Sequence, residues 1–153
     1  MVQRLKNEIK EIRITMKKLK FTEPIYTYHI DFVGHVNNII YVQWLENARV
    51  KLIQAMGLSI SKIAEDDKIL PIITETIIKY KRPYFLHNTV HVEAWVSKIM
   101  NVSAIFEFRF LNENGEVCST GQQKVLFIDK ETQRPSRKII KYKEAFEKFL
   151  IEE

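Results

Sequence analysis

Cysteine and glycine are scarce in this chain, and long apolar runs are missing. Among its 153 residues there are four glycines, four prolines and a single cysteine, Cys118. One cysteine excludes a disulfide framework and a cysteine zinc site within one chain. No apolar stretch approaches the roughly 20 residues that span a bilayer, and the N-terminus lacks the apolar core of a secretory signal peptide. We therefore expect a cytoplasmic protein without stable membrane insertion.

Several motifs of familiar enzyme chemistry are also missing. The chain has no Gly-x-Ser-x-Gly nucleophile elbow, no Walker phosphate loop and no dinucleotide fingerprint. Their absence excludes, at the level of motif, serine hydrolysis on that elbow, nucleotide hydrolysis and Rossmann redox chemistry. Cys118 falls in the middle of a predicted strand without a matching histidine, so we do not expect a thiol nucleophile. The four histidines form no metal-ligand pattern, and we expect no metal.

The net charge of +5 is concentrated at the N-terminus. Residues 1–20 hold seven of the 24 basic residues and two of the 19 acidic ones, which leaves 17 of each sign in residues 21–153. Because that remainder is neutral, we do not expect a nucleic-acid partner. The length suits one domain with a real core. We predict one domain over residues 21–153 and a basic N-terminal extension over residues 1–20, which is either a frayed leader or an amphipathic arm that touches a membrane or an anionic partner.

Polar groups stand just before a long predicted helix. Apolar residues recur at helical spacing over residues 39–56, Asn37 or Asn38 can cap the N-terminus, and Gly57 is a natural stop. A helix N-terminus offers unpaired backbone N–H groups and partial positive charge. Asp31, set beside such donors, can attack a carbonyl or activate water while the donors stabilise the oxyanion. The pattern predicts a hydrolytic centre.

The chain after this helix predicts a sheet. Residues 70–128 contain at least four antiparallel strands joined by short turns, two of them with regular alternation of apolar and polar residues. Gly121 marks a bulge or a close approach within the last of them. A further strand is expected at residues 23–29, and Ser136 can cap a last amphipathic helix. One central helix gripped by a strongly curved antiparallel sheet satisfies this order.

Two segments carry a resemblance to a known family. They read Asp31-x-x-Gly34-His35-Val36-Asn37-Asn38-x-x-Tyr41-x-x-Trp44-x-Glu46-x-x-Arg49 and Tyr80-Lys81-Arg82-Pro83. Over about residues 23–130 the chain resembles hotdog-fold acyl-CoA thioesterases of the 4-hydroxybenzoyl-CoA thioesterase type, and the first segment also resembles part of the plant-type acyl-carrier-protein thioesterases. The resemblance implies an α+β hotdog fold, in which a curved antiparallel sheet wraps a long central helix.

The resemblance also implies an activity. It is the hydrolysis of an acyl thioester to a free carboxylic acid and CoA, without a metal or an organic cofactor. The substrate is an acyl-CoA or, alternatively, a thioester of acyl carrier protein. Active sites in the family lie at a subunit interface, which implies a homodimer or a homotetramer.

Residue roles follow from the same resemblance. Asp31 falls on the nucleophile or general base, His35 and Asn38 assist, and backbone N–H groups around residues 36–39 polarise the thioester carbonyl. The substrate is expected to meet Gly34, Val36, Asn37, Tyr41, Lys79, Lys81 and Arg82. The chain departs from its relatives at His29, where many have a second aspartate, and at Asn38, where some bacterial ones have a histidine.

Simpler readings of these residues stand beside the functional ones. Asp31 can be a loop aspartate that accepts backbone hydrogen bonds, Tyr41 can be a core residue, and the cations at the end of the strand can be a solvated edge. Glu46 and Arg49 suit a surface or interface pair. The alternative function is a non-catalytic acyl-CoA-binding or sensor protein of the same fold. A hydratase on this fold ranks below it, because Asp31 and His35 do not match the arrangement expected of those enzymes.

Overall fold

Six antiparallel strands form one sheet in the computed structural model, which describes residues 12–153. The strands are β1 (Arg13–Thr15), β2 (Lys18–Glu23), β3 (Ile69–Tyr80), β4 (Val90–Ile99), β5 (Ser103–Leu111) and β6 (Val117–Asp129). Their order across the sheet is β1-β2-β4-β5-β6-β3. The antiparallel sheet predicted for residues 70–128 is therefore confirmed, and β3 forms one edge of it.

The long helix lies where the sequence predicts it. The helices are α1 (Asn38–Ala55), α2 (Ile60–Asp66) and α3 (Lys143–Glu147), with 3-10 turns at Thr27–His29 and Arg137–Tyr142. Asn37 caps α1, since its side-chain oxygen accepts the N–H of Ile39 at 3.0 Å. Gly57 follows the helix with φ of +81°, a conformation that favours glycine. Within the described residues, no helix is long and apolar enough to cross a membrane.

The core lies between α1 and the inner face of the sheet. Leu45, Ala48 and Leu52 on α1 are fully buried. Gly121 on β6 faces Leu45 so closely that a Cβ atom at position 121 would clash with the leucine side chain. The close approach predicted at Gly121 is therefore confirmed, and it sets how near the helix lies to the sheet.

The structure differs from the prediction in two segments, one before α1 and one after β6. The strand expected at residues 23–29 is wrong: β2 ends at Glu23, and residues 27–29 form a 3-10 turn. The physical reason is Pro24, which has no N–H for a sheet ladder. Ser136 caps as predicted, accepting the N–H of Lys138 at 3.3 Å, but the expected last helix is a 3-10 turn followed by the five residues of α3.

The N-terminal extension predicted for residues 1–20 is only partly described. Residues 1–11 lie outside the described residues, and residues 13–20 hold β1, a two-residue turn and the first half of β2. Leu19 is fully buried and pairs with Ala94 on β4. The sheet therefore begins earlier in the chain than the predicted domain boundary.

Candidate active site

A short antiparallel pairing brings Asp31 to the start of α1. Ile30 forms a bridge with Val36, and the N–H of Asn37 donates to the carbonyl oxygen of His29 at 2.8 Å. The N–H of Asp31 donates to the carbonyl oxygen of His35 at 2.9 Å. Residues 31–35 therefore form a tight turn that is held on both sides and leads directly into the helix.

The carboxylate of Asp31 is oriented by the backbone of this turn. One oxygen, Oδ1, accepts the N–H of Val33 at 3.0 Å and the N–H of His35 at 3.3 Å. Gly34 completes the turn with φ of +83°, which is why a glycine suits this position. The second oxygen, Oδ2, accepts no hydrogen bond from the part of the chain that the structure describes. Asp31 is half-buried, so this free oxygen can reach a ligand.

Most backbone donors at the start of α1 are already used. Four of the five N–H groups of residues 36–40 donate within the protein, and their acceptors are the carbonyl oxygens of Tyr84, His29 and Asn37 and the side-chain oxygen of Asn37. The remaining group is the N–H of Asn38, which has no acceptor among residues 12–153. The sequence predicts that backbone N–H groups around residues 36–39 face the substrate carbonyl. Of these four groups, only the N–H of Asn38 lacks an acceptor within the described residues.

The imidazole of His35 lies against Phe85. The two rings meet edge to face with their centroids 5.1 Å apart. Within the described chain, the imidazole makes no hydrogen bond to the Asp31 carboxylate, so His35 orients Asp31 through its backbone only. Sequence reasoning missed Phe85 and its neighbour Tyr84, although both directly follow the Arg82-Pro83 pair of the second motif.

His29 is a structural residue beneath the turn. It is buried, its Nδ1 accepts the N–H of Tyr26 at 3.1 Å, and its ring meets Trp44 edge to face. Burial lowers the pKa of His29, and the carboxylate of Glu23 opposes this shift more weakly. Among residues 12–153, no three His, Cys, Asp or Glu side chains converge as metal ligands do.

Tyr41 belongs to the core below the helix. Its ring is 2% exposed and packs against Trp44, Tyr80 and Tyr84. Burial raises the pKa of Tyr41 to about 12. A core role for Tyr41 fits this position, because its side chain is buried among these aromatic residues.

The three predicted cations lie at the end of β3. Lys79, Lys81 and Arg82 are exposed. Arg82 forms an ion pair with Glu116 at 3.1 Å. The segment that follows them supplies Tyr84, whose carbonyl oxygen accepts the N–H of Val36 at the start of α1. The cations therefore stand at the same end of α1 as Asp31.

Glu46 and Arg49 form the predicted pair on α1. The Arg49 guanidinium donates to both carboxylate oxygens of Glu46 and, at 2.7 Å, to the side-chain oxygen of Gln123 on β6. Gln123 is buried and donates to the hydroxyl of Thr76 on β3 at 3.2 Å. These bonds link α1 to β6 and, through Gln123, to the edge strand β3.

The architecture and the site together define a class of protein. A curved antiparallel sheet around a long helix is a hotdog fold. Here a carboxylate and an N–H without an acceptor among residues 12–153 lie at the start of that helix. The chain matches the Thioesterase-like superfamily over residues 26–148 and belongs to that family. The predictions of an α+β hotdog fold and of this family are confirmed, and at the level of the family so is the prediction of a thioester hydrolase.

Individual relatives agree with the family. A DHNA-CoA thioesterase structure from Staphylococcus aureus is 25% identical, covers 86% of this chain and 88% of its own, and has a TM-score of 0.73. YneP of Bacillus subtilis, which carries a provisional name as an acyl-CoA thioesterase, is 25% identical over 116 residues, 76% of this chain and 80% of its own. SAV2348 of Staphylococcus aureus, solved in complex with CoA, is 16% identical with a TM-score of 0.78, covers 92% of this chain and 85% of its own, and shows the fold alone.

Proposed function

We propose that the protein hydrolyses acyl thioesters at the turn before α1, using Asp31 and the backbone N–H of Asn38. The observation that carries this proposal is the free N–H. It is the single donor of residues 36–40 without an acceptor in the described chain, and it lies at the start of an 18-residue helix. A donor held at the positive end of a helix can stabilise the charge that develops on the thioester carbonyl oxygen.

Asp31 supplies the attack. Because two backbone N–H groups hold Oδ1, the free Oδ2 is oriented before the substrate binds. It either adds to the carbonyl carbon, giving a mixed anhydride that water then cleaves, or removes a proton from a water that adds to the carbon. Both routes consume one water, break the carbon–sulfur bond and yield a carboxylic acid and a thiol. His35 and the side chain of Asn38 are proposed to assist.

Acyl-CoA is the proposed substrate. The names of the Staphylococcus aureus and Bacillus subtilis relatives and the CoA in the SAV2348 complex support this choice. The exposed cations of Lys79, Lys81 and Arg82 would receive the CoA phosphates through charge-assisted hydrogen bonds. Acyl carrier protein is the alternative carrier, and a cytoplasmic location stays a prediction.

We further propose that two copies pair through β3. This strand has twelve residues, and only its β6 side is paired within the described chain. Ile72 and Ile77 are about 40% exposed along it, and a long edge with exposed apolar side chains favours pairing with another chain. Phe32, next to Asp31, is fully exposed, which suits a site that a second copy completes. Two such dimers would give the tetramer.

Thiol release tests the activity. We would measure it for acetyl-, hexanoyl-, palmitoyl- and benzoyl-CoA with wild type, Asp31→Asn and Asp66→Asn. Asp66 is an exposed aspartate on α2 and serves as the matched control. We expect Asp31→Asn to lower kcat by at least about 100-fold, and Asp66→Asn to leave it unchanged.

Two outcomes contradict the proposal. Wild-type rates in Asp31→Asn would remove Asp31 from the chemistry while leaving a hydrolase in place. No release from any of the four thioesters, with hexanoyl-CoA still bound in a calorimetric titration, would favour the acyl-CoA sensor of the same fold.

A further inference from the structure

A cavity lies far from Asp31, between the β4–β5 turn and the C-terminal segment. Its volume is about 150 Å³, and its walls are mainly apolar, with Ala104, Phe127 and Phe146 among them. Ile140, Asn101 and Lys143 also line it. This space has no part in the mechanism proposed above.

The position of the cavity separates it from the proposed active site. Phe127, Ile139 and Phe146 also line a smaller space of about 20 Å³, which is bounded by Ile53 and Leu58 at the C-terminal end of α1. A helix of 18 residues is about 27 Å long, and Asp31 precedes its first turn. A ligand in the larger cavity therefore cannot touch Asp31.

The segment that covers the cavity is fixed to the rest of the fold. Asp67, at the end of α2, accepts hydrogen bonds from the Tyr142 hydroxyl and from the Lys141 ammonium. The hydrogen bond from Tyr142 lowers the pKa of Asp67, so this carboxylate stays charged at neutral pH. The cavity wall is thus held in place before any ligand binds, which reduces the ordering cost of binding.

The lining indicates the chemistry of the ligand. An apolar cavity of roughly 150 Å³ accepts a group of the size of benzene. Lys143 is 57% exposed, and its ammonium stands 3.7 Å from Glu147, longer than a normal hydrogen bond. The ammonium can therefore donate to another anion. We propose that this cavity binds a small apolar carboxylic acid, with a ring or chain of about six carbons inside and its carboxylate at Lys143.

The proposal does not depend on the catalytic role of Asp31. An acid of this kind belongs to the same chemical class as the product of thioester hydrolysis. Loss of activity in Asp31→Asn and loss of acid binding at the C-terminal cavity are separate observations, so either proposal can fail alone.

A titration of the full chain tests the site. We would follow backbone amide NMR signals while adding sodium hexanoate or its uncharged counterpart hexan-1-ol. The variants are Lys143→Gln, Ile140→Trp and, as the matched control, Lys148→Gln, an exposed lysine that does not line the cavity. Ile140 is 49% exposed, so a tryptophan there can obstruct the cavity without overpacking the core.

We expect saturable shifts at residues 99–104 and 139–146 with both probes. Lys143→Gln should weaken hexanoate binding about fivefold, the upper end for an exposed ion pair, and leave hexan-1-ol binding unchanged. Ile140→Trp should weaken both, and Lys148→Gln neither. The proposal fails if hexanoate causes no saturable shift, if its shifts are confined to residues 31–38, or if Lys148→Gln weakens binding as much as Lys143→Gln.

Discussion

The backbone N–H of Val36 donates to the carbonyl oxygen of Tyr84 at 2.9 Å. This bond fixes the start of α1 against the segment that follows β3. It also removes the N–H of Val36 from the set of donors that could face a substrate. Together with the cap formed by Asn37, it leaves the N–H of Asn38 without an acceptor in the part of the chain that the structure describes. The proposed oxyanion contact therefore depends on one atom of the backbone.

Replacing Asn38 with proline tests that atom. Asn38 is the first residue of α1, a position at which proline is favoured because its missing N–H has no helical partner. Asn37 has φ of −62° and ψ of 141°, which is the region that a residue before proline prefers. The Asn38→Pro variant should therefore keep its fold and lose the donor. We expect kcat for the best thioester to fall about 100- to 1,000-fold.

Asn38→Ala is the comparison variant, because it removes the side-chain amide, which we propose to assist, and keeps the N–H. We expect it to lower kcat less than Asn38→Pro does. Thiol-release kinetics give the rates, and urea unfolding shows that both variants stay folded. A proline variant with the wild-type rate would contradict the role of this N–H. If Asn38→Ala were as slow as Asn38→Pro, the loss of activity would come from the missing side-chain amide and not from the missing N–H.

Features with a local cause could be predicted from the sequence. The spacing of apolar residues over 39–56 and the cap at Asn37 placed α1 to within one residue, because caps and periodicity act over a few neighbours. The strand expected at residues 23–29 failed for a local reason as well. The alternation that builds β2 starts earlier, at Lys18, and ends at Glu23, just before Pro24.

The environment of the site could not be predicted in the same way. The bond between Val36 and Tyr84 joins residues far apart in the chain, and nothing in the local pattern of either residue specifies it. The contact between His35 and Phe85 has the same origin. The motif indicates that Asp31 is a candidate catalytic residue. Tertiary contacts decide which of its carboxylate oxygens is free and which backbone N–H groups are free.

Gly121→Ala should destabilise the protein. A Cβ atom at position 121 would overlap the side chain of Leu45, which is fully buried and has little room to move. Overpacking of this kind costs about 1–3 kcal/mol of unfolding free energy. Urea unfolding measures the loss, and the double variant Gly121→Ala with Leu45→Ala tests its cause. If the clash is the cause, Leu45→Ala should relieve part of the loss of unfolding free energy caused by Gly121→Ala. Losses that simply add in the double variant would show that the Leu45 side chain is not what the new Cβ atom meets.

Ile77→Lys should weaken self-association. Ile77 is 41% exposed on β3, and a lysine on an edge strand opposes pairing with another chain. We expect the mass measured by light scattering to shift from dimer or tetramer towards monomer. Ile14→Lys is the matched control, because Ile14 is 60% exposed on β1 at the opposite edge of the sheet. If Ile14→Lys disrupted the association and Ile77→Lys did not, the interface would lie at β1, and our proposal that two copies pair through β3 would be wrong.

His29 makes stability depend on pH below neutrality. Burial lowers its pKa in the folded state below the ordinary value of 6.5, so the unfolded chain binds a proton first as the pH falls. The unfolding free energy therefore decreases as the pH falls through 6.5, by at most about 1.4 kcal/mol per pH unit for one proton. The loss ends below the folded pKa, where both states are protonated. The lowered pKa values of Asp67, Asp129 and Glu113 act in a separate and more acidic window.

His29→Asn should remove this dependence between pH 7 and pH 5. The asparagine can still accept the N–H of Tyr26, which His29 Nδ1 accepts at 3.1 Å, but it does not titrate. We expect wild type to lose more unfolding free energy than the variant across this window, measured in urea at each pH. His91→Asn is the control, because His91 is exposed on β4. If the unfolding free energies of wild type and His29→Asn changed with pH in parallel, His29 would be solvated in the folded protein. The buried structural role that we give His29 beneath the Asp31 turn would then be wrong.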